Sequence, residues 1–147
     1  MKDELRLLDT NIVVYFYSKD ELAKQRIALS LLEHKNLMVT RQVINELCNI
    51  LICKFAKSAK EVGSVLDELE NIPVLELTEN TTRRALDIIA QYHYSFGDSM
   101  LLASAIENDC STLYSEDFQH GQIIRGKLKI INPFYKIGIN IGSADSK

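Results

Sequence analysis

The sequence predicts a single α/β domain in which a short, mainly parallel sheet is flanked by helices. Short apolar runs recur along the chain, and segments that begin with helix-capping residues separate them, which is the alternation typical of parallel α/β sheets. The 147 residues are enough for one domain with a real core, and no repeat or linker divides them. We expect this domain to span residues 1–134, followed by a flexible tail over residues 135–147.

The alternation of runs and caps begins at the N-terminus. Residues 5–8 form a short apolar run that predicts a strand, and the β-branched run at residues 12–17 fits either an extension of that strand or a short helix. The spacing of Ser18 and Glu21 is that of a capping box, which predicts a helix reaching about residue 35. A second apolar run, at residues 37–39, predicts the next strand.

The middle of the chain repeats this order. Thr40 caps a helix that reaches about residue 56, and a second capping box, at Ser58 and Glu61, opens a helix that ends near residue 71. Pro73 cannot extend that helix, so residues 74–77 predict a third strand.

Two more helices and two more strands complete the pattern. Thr78 caps a helix that ends near residue 93, and Ser95 caps one that ends near residue 108. The last two apolar runs predict strands at residues 112–114 and 128–131. In sheets of this kind, functional groups gather just beyond the carboxyl ends of the strands.

Composition and charge exclude several classes of protein. Hydrophobic residues make up 46% of the chain and charged residues 25%, which excludes a disordered or low-complexity protein. The net charge of -3 argues against binding of nucleic acid through bulk positive charge, although a local patch or a metal ion can still bind it. No apolar stretch approaches the roughly 18 residues of a membrane helix, and no signal-peptide pattern is present. We therefore expect a cytoplasmic protein without membrane contact.

Two acidic residues follow predicted strands. Asp9 ends the first strand and precedes Thr10 and Asn11, whose small polar side chains can hydrogen-bond in a site. Asp117 follows the fourth strand, two residues after Ser115. Both carboxylates are placed where parallel sheets carry functional groups, although turn or cap acids have similar sequences.

Two further acidic residues lie on apolar helix faces. Glu46 falls inside the apolar stripe of its helix, so we expect it to point inward; the alternatives are a salt bridge to a neighbour such as Arg41 or Lys54, or a position at the edge of the stripe from which the carboxylate reaches solvent. Asp98 heads an apolar face in the first turn of the helix that Ser95 opens. A capping box with Ser95 is the alternative for Asp98, because the helix dipole favours an acid there.

Together the four acids predict a metal site on one edge of the sheet. Carboxylates about 5 Å apart repel by roughly 3 kcal/mol per pair at an effective dielectric of 20, so such a cluster needs a cation or shared protons. Oxygen ligands favour Mg²⁺ or Mn²⁺, and these ions suit phosphoester chemistry. The hydroxyl groups of Thr10 and Ser115 and the amide of Asn11 can orient carboxylates or a water molecule.

Three other classes of protein remain as alternatives. A haloacid-dehalogenase phosphatase needs a second Asp two residues after the first, where this chain has Asn11. A receiver domain needs an acid pair after the first strand and an Asp at the end of a central strand, whereas Glu46 is on a helix. The third alternative is a non-catalytic module that binds RNA or protein through a degenerate site.

The chain resembles the PIN-domain ribonucleases, most closely the VapC-type toxins of prokaryotic toxin–antitoxin pairs. The resemblance rests on motifs in order over about residues 5–134, with spacings of 37, 52 and 19 residues between the four acids. The motifs are Leu8-Asp9-Thr10-Asn11, Gln42-Val43-Ile44-Asn45-Glu46-Leu47, Ser95-Phe96-Gly97-Asp98-Ser99-Met100-Leu101-Leu102-Ala103-Ser104-Ala105, Leu113-Tyr114-Ser115-Glu116-Asp117-Phe118 and Ile130-Ile131-Asn132-Pro133-Phe134. It implies a PIN-like three-layer sandwich.

The resemblance also implies an activity and roles for the acids. It implies endonucleolytic cleavage of single-stranded or looped RNA that depends on Mg²⁺ or Mn²⁺. Asp9 and Asp98 would be the principal metal ligands, Glu46 would bind metal or activate water, and Asp117 would complete the pocket. A homodimer and a cognate antitoxin protein are the implied partners.

Positive charge for RNA binding must be local in an acidic chain. Arg125, Lys127 and Lys129 alternate near the last strand, and we select them because they are close in the chain to Asp117. The alternative is an ordinary solvated face.

Overall fold

The computed structural model describes residues 4–137, and six strands within that range form one sheet. The strands are β1 (Leu5–Leu8), β2 (Leu37–Thr40), β3 (Val74–Leu75), β4 (Cys110–Tyr114), β5 (Ile123–Ile124) and β6 (Leu128–Ile131). Their order is β3-β2-β1-β4-β6-β5, and all neighbouring pairs are parallel except β5 with β6. The parallel strands therefore end at one side of the sheet, which we call the carboxyl edge.

Helices flank this sheet, as predicted. Within the described residues they are α1 (Thr10–Tyr15), α2 (Leu22–Ser30), α3 (Arg41–Cys53), α4 (Ala59–Glu68), α5 (Glu79–Tyr92) and α6 (Phe96–Glu107), with a 3-10 turn at Leu31–Glu33. Helix α1 packs against α2 and α3, and α5 runs along α6. The predicted α/β class with a mainly parallel sheet is confirmed. Over residues 4–137, no helix has both the length and the apolar character needed to cross a membrane.

The core covers both faces of the central strands. Leu7 and Leu8 are adjacent on β1, so their side chains point to opposite faces, yet both are fully buried. Leu113 on β4 and Ile130 on β6 are fully buried as well. Parallel strands covered by helices on both faces have this near-continuous apolar sequence, which explains why the strands could be predicted from short apolar runs.

The predicted helix caps at Thr40, Ser58, Thr78 and Ser95 are confirmed. In each case the side-chain oxygen accepts a hydrogen bond from the backbone N–H three residues later. Ser58 and Glu61 form the complete capping box. The helices are shorter than predicted at their C-termini, since α3 ends at Cys53 and α4 at Glu68.

The segment after β1 differs from the prediction. The β-branched run is helical, as α1, because the Asp9 side chain caps its first turn. The predicted capping box at Ser18 is wrong: α2 begins at Leu22, and Glu21 at its cap position makes no side-chain hydrogen bond. Ser18 is itself buried and lies four residues before α2 begins, so it is not the cap of that helix.

The sheet edges also differ from the prediction. Strand β3 has only two residues, because its partner β2 ends at Thr40 and leaves nothing to pair with beyond Leu75. The two-residue strand β5 was not predicted, since so short a run carries little sequence signal. The predicted tail falls largely on residues 138–147, which lie outside the described residues.

The capping box of α4 allows a stability test. We expect Ser58→Ala to lower the free energy of unfolding by about 1 kcal/mol, because the backbone N–H of Glu61 loses the hydroxyl that accepts its hydrogen bond. Urea denaturation would measure the difference. Ser64→Ala, in the middle of the same helix, is the matched control and should change stability by less than about 0.5 kcal/mol. Equal effects at both positions would contradict the capping role.

Candidate active site

Asp9 is at the centre of the carboxyl edge. Its backbone N–H donates to the carbonyl of Tyr114 at 3.0 Å, so it lies between the ends of β1 and β4. Its Oδ1 accepts the backbone N–H of Thr10 and its Oδ2 accepts the hydroxyl of Ser115, both at 2.7 Å. The residue is only 9% exposed. These bonds fix the orientation of a carboxylate that is nearly removed from solvent.

Burial raises the pKa of Asp9 to about 6. The hydrogen bonds from Ser115 and Thr10 oppose this rise, while the negative charges of Asp117 and Asp98 add to it. Asp9 therefore interacts with two of the other three predicted acids, drawn from distant parts of the chain.

Glu46 does not point inward, and that prediction is wrong. The buried stripe of α3 consists of Val43, Ile44, Leu47 and Leu51, whose centre lies well to one side of Glu46. Glu46 is exposed at the edge of the stripe, yet both its oxygens are bonded. The hydroxyl of Thr10 donates to Oε2 at 2.5 Å and the amide of Gln42 donates to Oε1 at 3.0 Å. The proposed partner Arg41 instead binds Glu76.

Asp98, in the first turn of α6, lines a small cavity together with Asp9 and Glu46. The Ser95 hydroxyl accepts the backbone N–H of Asp98 at 3.2 Å, which confirms the cap. Among residues 4–137, the Asp98 carboxylate does not return a bond to Ser95, so the alternative of a complete capping box is not realised. A cavity of about 80 Å³ brings three predicted acids together, with lining residues Asp9, Thr10, Thr40, Gln42, Val43, Glu46, Gly97, Asp98 and Leu101.

Asp117 stands apart from the cavity lining. Solvent reaches it, and its backbone N–H donates to the hydroxyl of Ser115 at 3.1 Å. Partial burial raises its pKa, and the charges of Glu116 and Asp98 raise it further. Ser115, which is fully buried, thus connects Asp117 to Asp9. Asp117 belongs to the same rim rather than to the wall of the cavity.

The small polar residues have unequal positions. Thr10 is buried, lines the cavity and binds Glu46, whereas Asn11 is half-buried on α1 and does not line the cavity. Sequence reasoning missed Gln42, although its spacing of four residues from Glu46 on a helix is a usable signal.

Glu116 is separated from the other acids by its own partners. The hydroxyl of Tyr15 donates to its Oε1 at 2.6 Å, and the ammonium group of Lys24 binds its Oε2 at 3.0 Å. This pair attaches the loop after β4 to α1 and α2. In the part of the chain that the structure describes, none of the salt bridges involves Asp9, Glu46, Asp98 or Asp117.

The donor set fits a hydrated hard cation. Between residues 4 and 137, no three His, Cys, Asp or Glu side chains converge closely enough to hold a metal ion by themselves. Mg²⁺ usually keeps several water molecules and binds only one or two carboxylates together with substrate phosphates. Oxygen donors without ionic partners, around a small polar cavity, satisfy that requirement.

A family model described as the PIN domain matches residues 6–124. The chain belongs to the PIN-domain family. The family prediction is thereby confirmed, and the match covers the strands β1 to β5 and all the acids of the carboxyl edge. A search of curated proteins gives no match.

Solved structures of toxin–antitoxin proteins share the fold of this PIN domain. A toxin–antitoxin complex from Klebsiella pneumoniae aligns with a TM-score of 0.67 at 18% identity, over 87% of this chain and 97% of that chain. VapC20 of Mycobacterium tuberculosis, a sarcin–ricin loop cleaving toxin, aligns with a TM-score of 0.64 at 19% identity, over 76% of this chain and 89% of that chain. FitAcB from Neisseria gonorrhoeae aligns with a TM-score of 0.67 at 16% identity, over 89% of this chain and 99% of that chain. At these identities the likeness shows the fold.

The basic residues selected from the sequence are not close to the acids of this PIN domain. Arg125 and Lys127 are exposed on the turn between β5 and β6, and Lys129 is exposed on β6 itself. Because β5 runs antiparallel, the chain returns to the amino end of β6, a strand length of about 13 Å from the carboxyl edge. Nearness in the chain to Asp117 therefore does not bring the turn near the cavity.

The raised pKa of Asp9 predicts how stability depends on pH. In the unfolded chain this pKa is near 3.8, and in the fold it is about 6, so the folded state binds the proton more tightly. The free energy of unfolding therefore contains a contribution that is complete below the unfolded pKa and is lost as pH rises through the folded pKa. The difference between the folded and unfolded pKa corresponds to roughly 2–3 kcal/mol. An asparagine at this position would gain less than this amount, because its hydrogen bonds are weaker than those of a carboxylate.

We expect Asp9→Asn to raise the melting temperature near pH 7 in EDTA, and to raise it much less near pH 4. Thermal melts of both proteins across this range would measure the effect. Asp67→Asn, an exposed acid on α4, is the control and should leave the pH dependence unchanged. A lower melting temperature for Asp9→Asn near pH 7 would show that the carboxylate stabilises the fold.

Proposed function

We propose that this PIN domain is a metal-dependent endoribonuclease that hydrolyses RNA phosphodiester bonds and is the toxin of a toxin–antitoxin pair. The observation that carries this proposal is the cavity at the carboxyl edge, where Asp9, Glu46 and Asp98 meet from three separate segments and, among the described residues 4–137, form no salt bridge with a basic side chain. Family membership and the fold shared with a sarcin–ricin loop cleaving toxin support the same reaction class.

In this proposal Asp9 and Asp98 hold a Mg²⁺ or Mn²⁺ ion through their carboxylates. When bound there, such an ion would polarise the phosphate of the substrate and lower the pKa of a water molecule. Ser115 and the backbone of Thr10 keep Asp9 oriented toward the cavity. The Asp117 carboxylate adds negative charge at the rim, and the hydrogen bond from its backbone N–H to Ser115 keeps the residue there.

Glu46 is the proposed proton acceptor. It lines the cavity together with Asp98, but it belongs to α3 rather than to the ends of the strands. Thr10 and Gln42 each donate to one of its oxygens, so the carboxylate is held in one orientation while solvent still reaches it. A proton taken from an attacking water would be held at Oε1, the oxygen that the amide of Gln42 orients.

An antitoxin is the proposed partner, and a groove at the C-terminal end of α1 offers a surface for it. Cavities of about 420, 430 and 270 Å³ all include Tyr17 in their lining. Leu29 and Leu32 border the first of them and are 42% and 44% exposed. Exposed apolar side chains around adjoining cavities are typical of protein interaction sites. The homodimer that the family resemblance implies stays a prediction.

Cleavage of RNA tests the reaction. We expect purified protein to cut total RNA with Mg²⁺ or Mn²⁺ and to leave it intact with EDTA. Asp9→Asn and Asp98→Asn should each lose at least about 100-fold in rate, since metal activation is worth several kcal/mol. Asp67→Asn, which removes an equal charge far from the cavity, should retain the rate.

Undiminished cleavage in both Asp9→Asn and Asp98→Asn would overturn the assignment of the acids. RNA binding without cleavage under either metal would instead indicate a non-catalytic PIN-like module.

Co-purification tests the partner. We expect the product of a small neighbouring open reading frame to co-purify with this protein, and Leu32→Glu to reduce the recovered complex at least about tenfold by placing a charge in the groove. Leu86→Glu, at an apolar residue of α5 that is 54% exposed, is the matched control and should keep the complex. RNA cleavage by free Leu32→Glu should equal that of the wild type. An intact complex with Leu32→Glu would place the partner elsewhere.

A further inference from the structure

Phe96 is unusual among the five phenylalanines of this chain. It is 51% exposed, whereas Phe16, Phe118 and Phe134 are buried and Phe55 is half-buried. Packing of the core therefore does not account for an aromatic ring at this position. The ring also lies apart from the groove around Tyr17, since none of the cavities that form the groove includes it.

The place of Phe96 in α6 associates it with the acid cavity. It is the first residue of the helix, between the capping residue Ser95 and the cavity-lining residues Gly97 and Asp98. Helical side chains lean toward the N-terminus, and the N-terminal end of α6 is at the carboxyl edge. Residues two apart on a helix point in different directions, so the ring stands outside the cavity while the Asp98 carboxylate faces into it.

The turn that carries Phe96 is held by aromatic packing. Tyr94, just before the cap of α6, packs edge-on against Phe118 with ring centroids 5.2 Å apart. Its hydroxyl donates to Gln122 at 2.8 Å, and Tyr92 stacks on it with centroids 6.0 Å apart. The ring of Phe96 is thus presented from a supported segment, and little ordering is required when a planar ligand stacks on it.

We propose that Phe96 is a stacking platform for an unpaired nucleobase of RNA whose neighbouring phosphate occupies the acid cavity. A nucleotide carries its phosphate and its base at opposite ends, which matches a cavity inside the rim and an aromatic face outside it. The inference rests on the proposed function and extends it, because it assigns a base-binding position and favours single-stranded or looped RNA over a duplex, whose bases are already stacked.

A second copy of the chain fits this ring less well. Stable protein interfaces bury about 800 Å² on each partner, far more than one ring provides. The residues on either side, Ser95 and Gly97, add no apolar surface. A single exposed aromatic ring, on the helix that also carries a residue of the site proposed to bind phosphate, suits a nucleobase.

Fluorescence of 2-aminopurine in a short single-stranded RNA oligonucleotide tests the platform, because stacking quenches it. Binding is measured in the Asp98→Asn background, which prevents cleavage and removes one of the carboxylates that repel phosphate. We expect quenching with Phe96 present, and Phe96→Ala to abolish it and weaken binding by about tenfold. Phe96→Trp should show the quenching and the affinity of the protein with Phe96, because a tryptophan ring also stacks on a base. Leu86→Ala is the matched control for loss of an exposed apolar side chain and should change neither.

Quenching and affinity that do not depend on Phe96 would overturn the platform. So would the finding that Phe96→Ala converts a dimer into a monomer in light scattering while RNA binding is unchanged, since the ring would then belong to a contact between copies. These failures are separate from failure of the proposed nuclease. A wild-type protein that cuts no RNA, but whose quenching depends on Phe96, would retain the platform and lose the reaction.

Discussion

The site depends on one buried carboxylate. Asp9 is held at the junction of the two central strands, and a charge removed from water must be hydrogen-bonded to remain there. Two chains of hydrogen bonds start from it. One passes from Thr10 to Glu46 and on to Gln42, and the other passes through Ser115 to Asp117. The two carboxylate oxygens of Asp9 thus hold together parts of the chain that are more than 100 residues apart in sequence.

The distribution of basic side chains supports the proposal that this group of acids binds an external cation. Lys24 is bound to Glu116 and Arg41 to Glu76, so the basic side chains near the carboxyl edge neutralise acids outside the cavity. Over residues 4–137 the four acids of the site take part in no salt bridge. Because Lys24 and Arg41 are paired with acids outside the cavity, the four acids of the site retain a negative potential, and a divalent cation is the simplest counter-charge for it.

Local signals in the sequence were sufficient for much of this arrangement. Thr40 and Ser95 cap helices because their own side chains reach the nearest backbone groups, and Asp9 could be placed because an apolar strand visibly ends there. Tertiary packing decided the rest. Ser18 is buried instead of capping α2, and Glu46 was misjudged because the centre of a helical stripe depends on which neighbour covers it. The distance of Arg125 from the acids depended on an antiparallel strand of two residues.

A net charge of -3 initially argued against nucleic acid as a ligand, and the structure gives that charge a different meaning. Lys24 and Arg41, which lie at the carboxyl edge, are committed to ion pairs, and the exposed basic residues of the β5–β6 turn are at the other end of the strands. Long-range attraction of a polyanion is therefore weak in this chain. In the proposed function, recognition of RNA would then come from contacts that act at short range, namely a cation held by the acids for the phosphate and an aromatic surface beside them for the base. The affinity of such a site for RNA would follow metal occupancy more than salt, because the ion that activates the phosphate would also remove the repulsion that keeps the phosphate away.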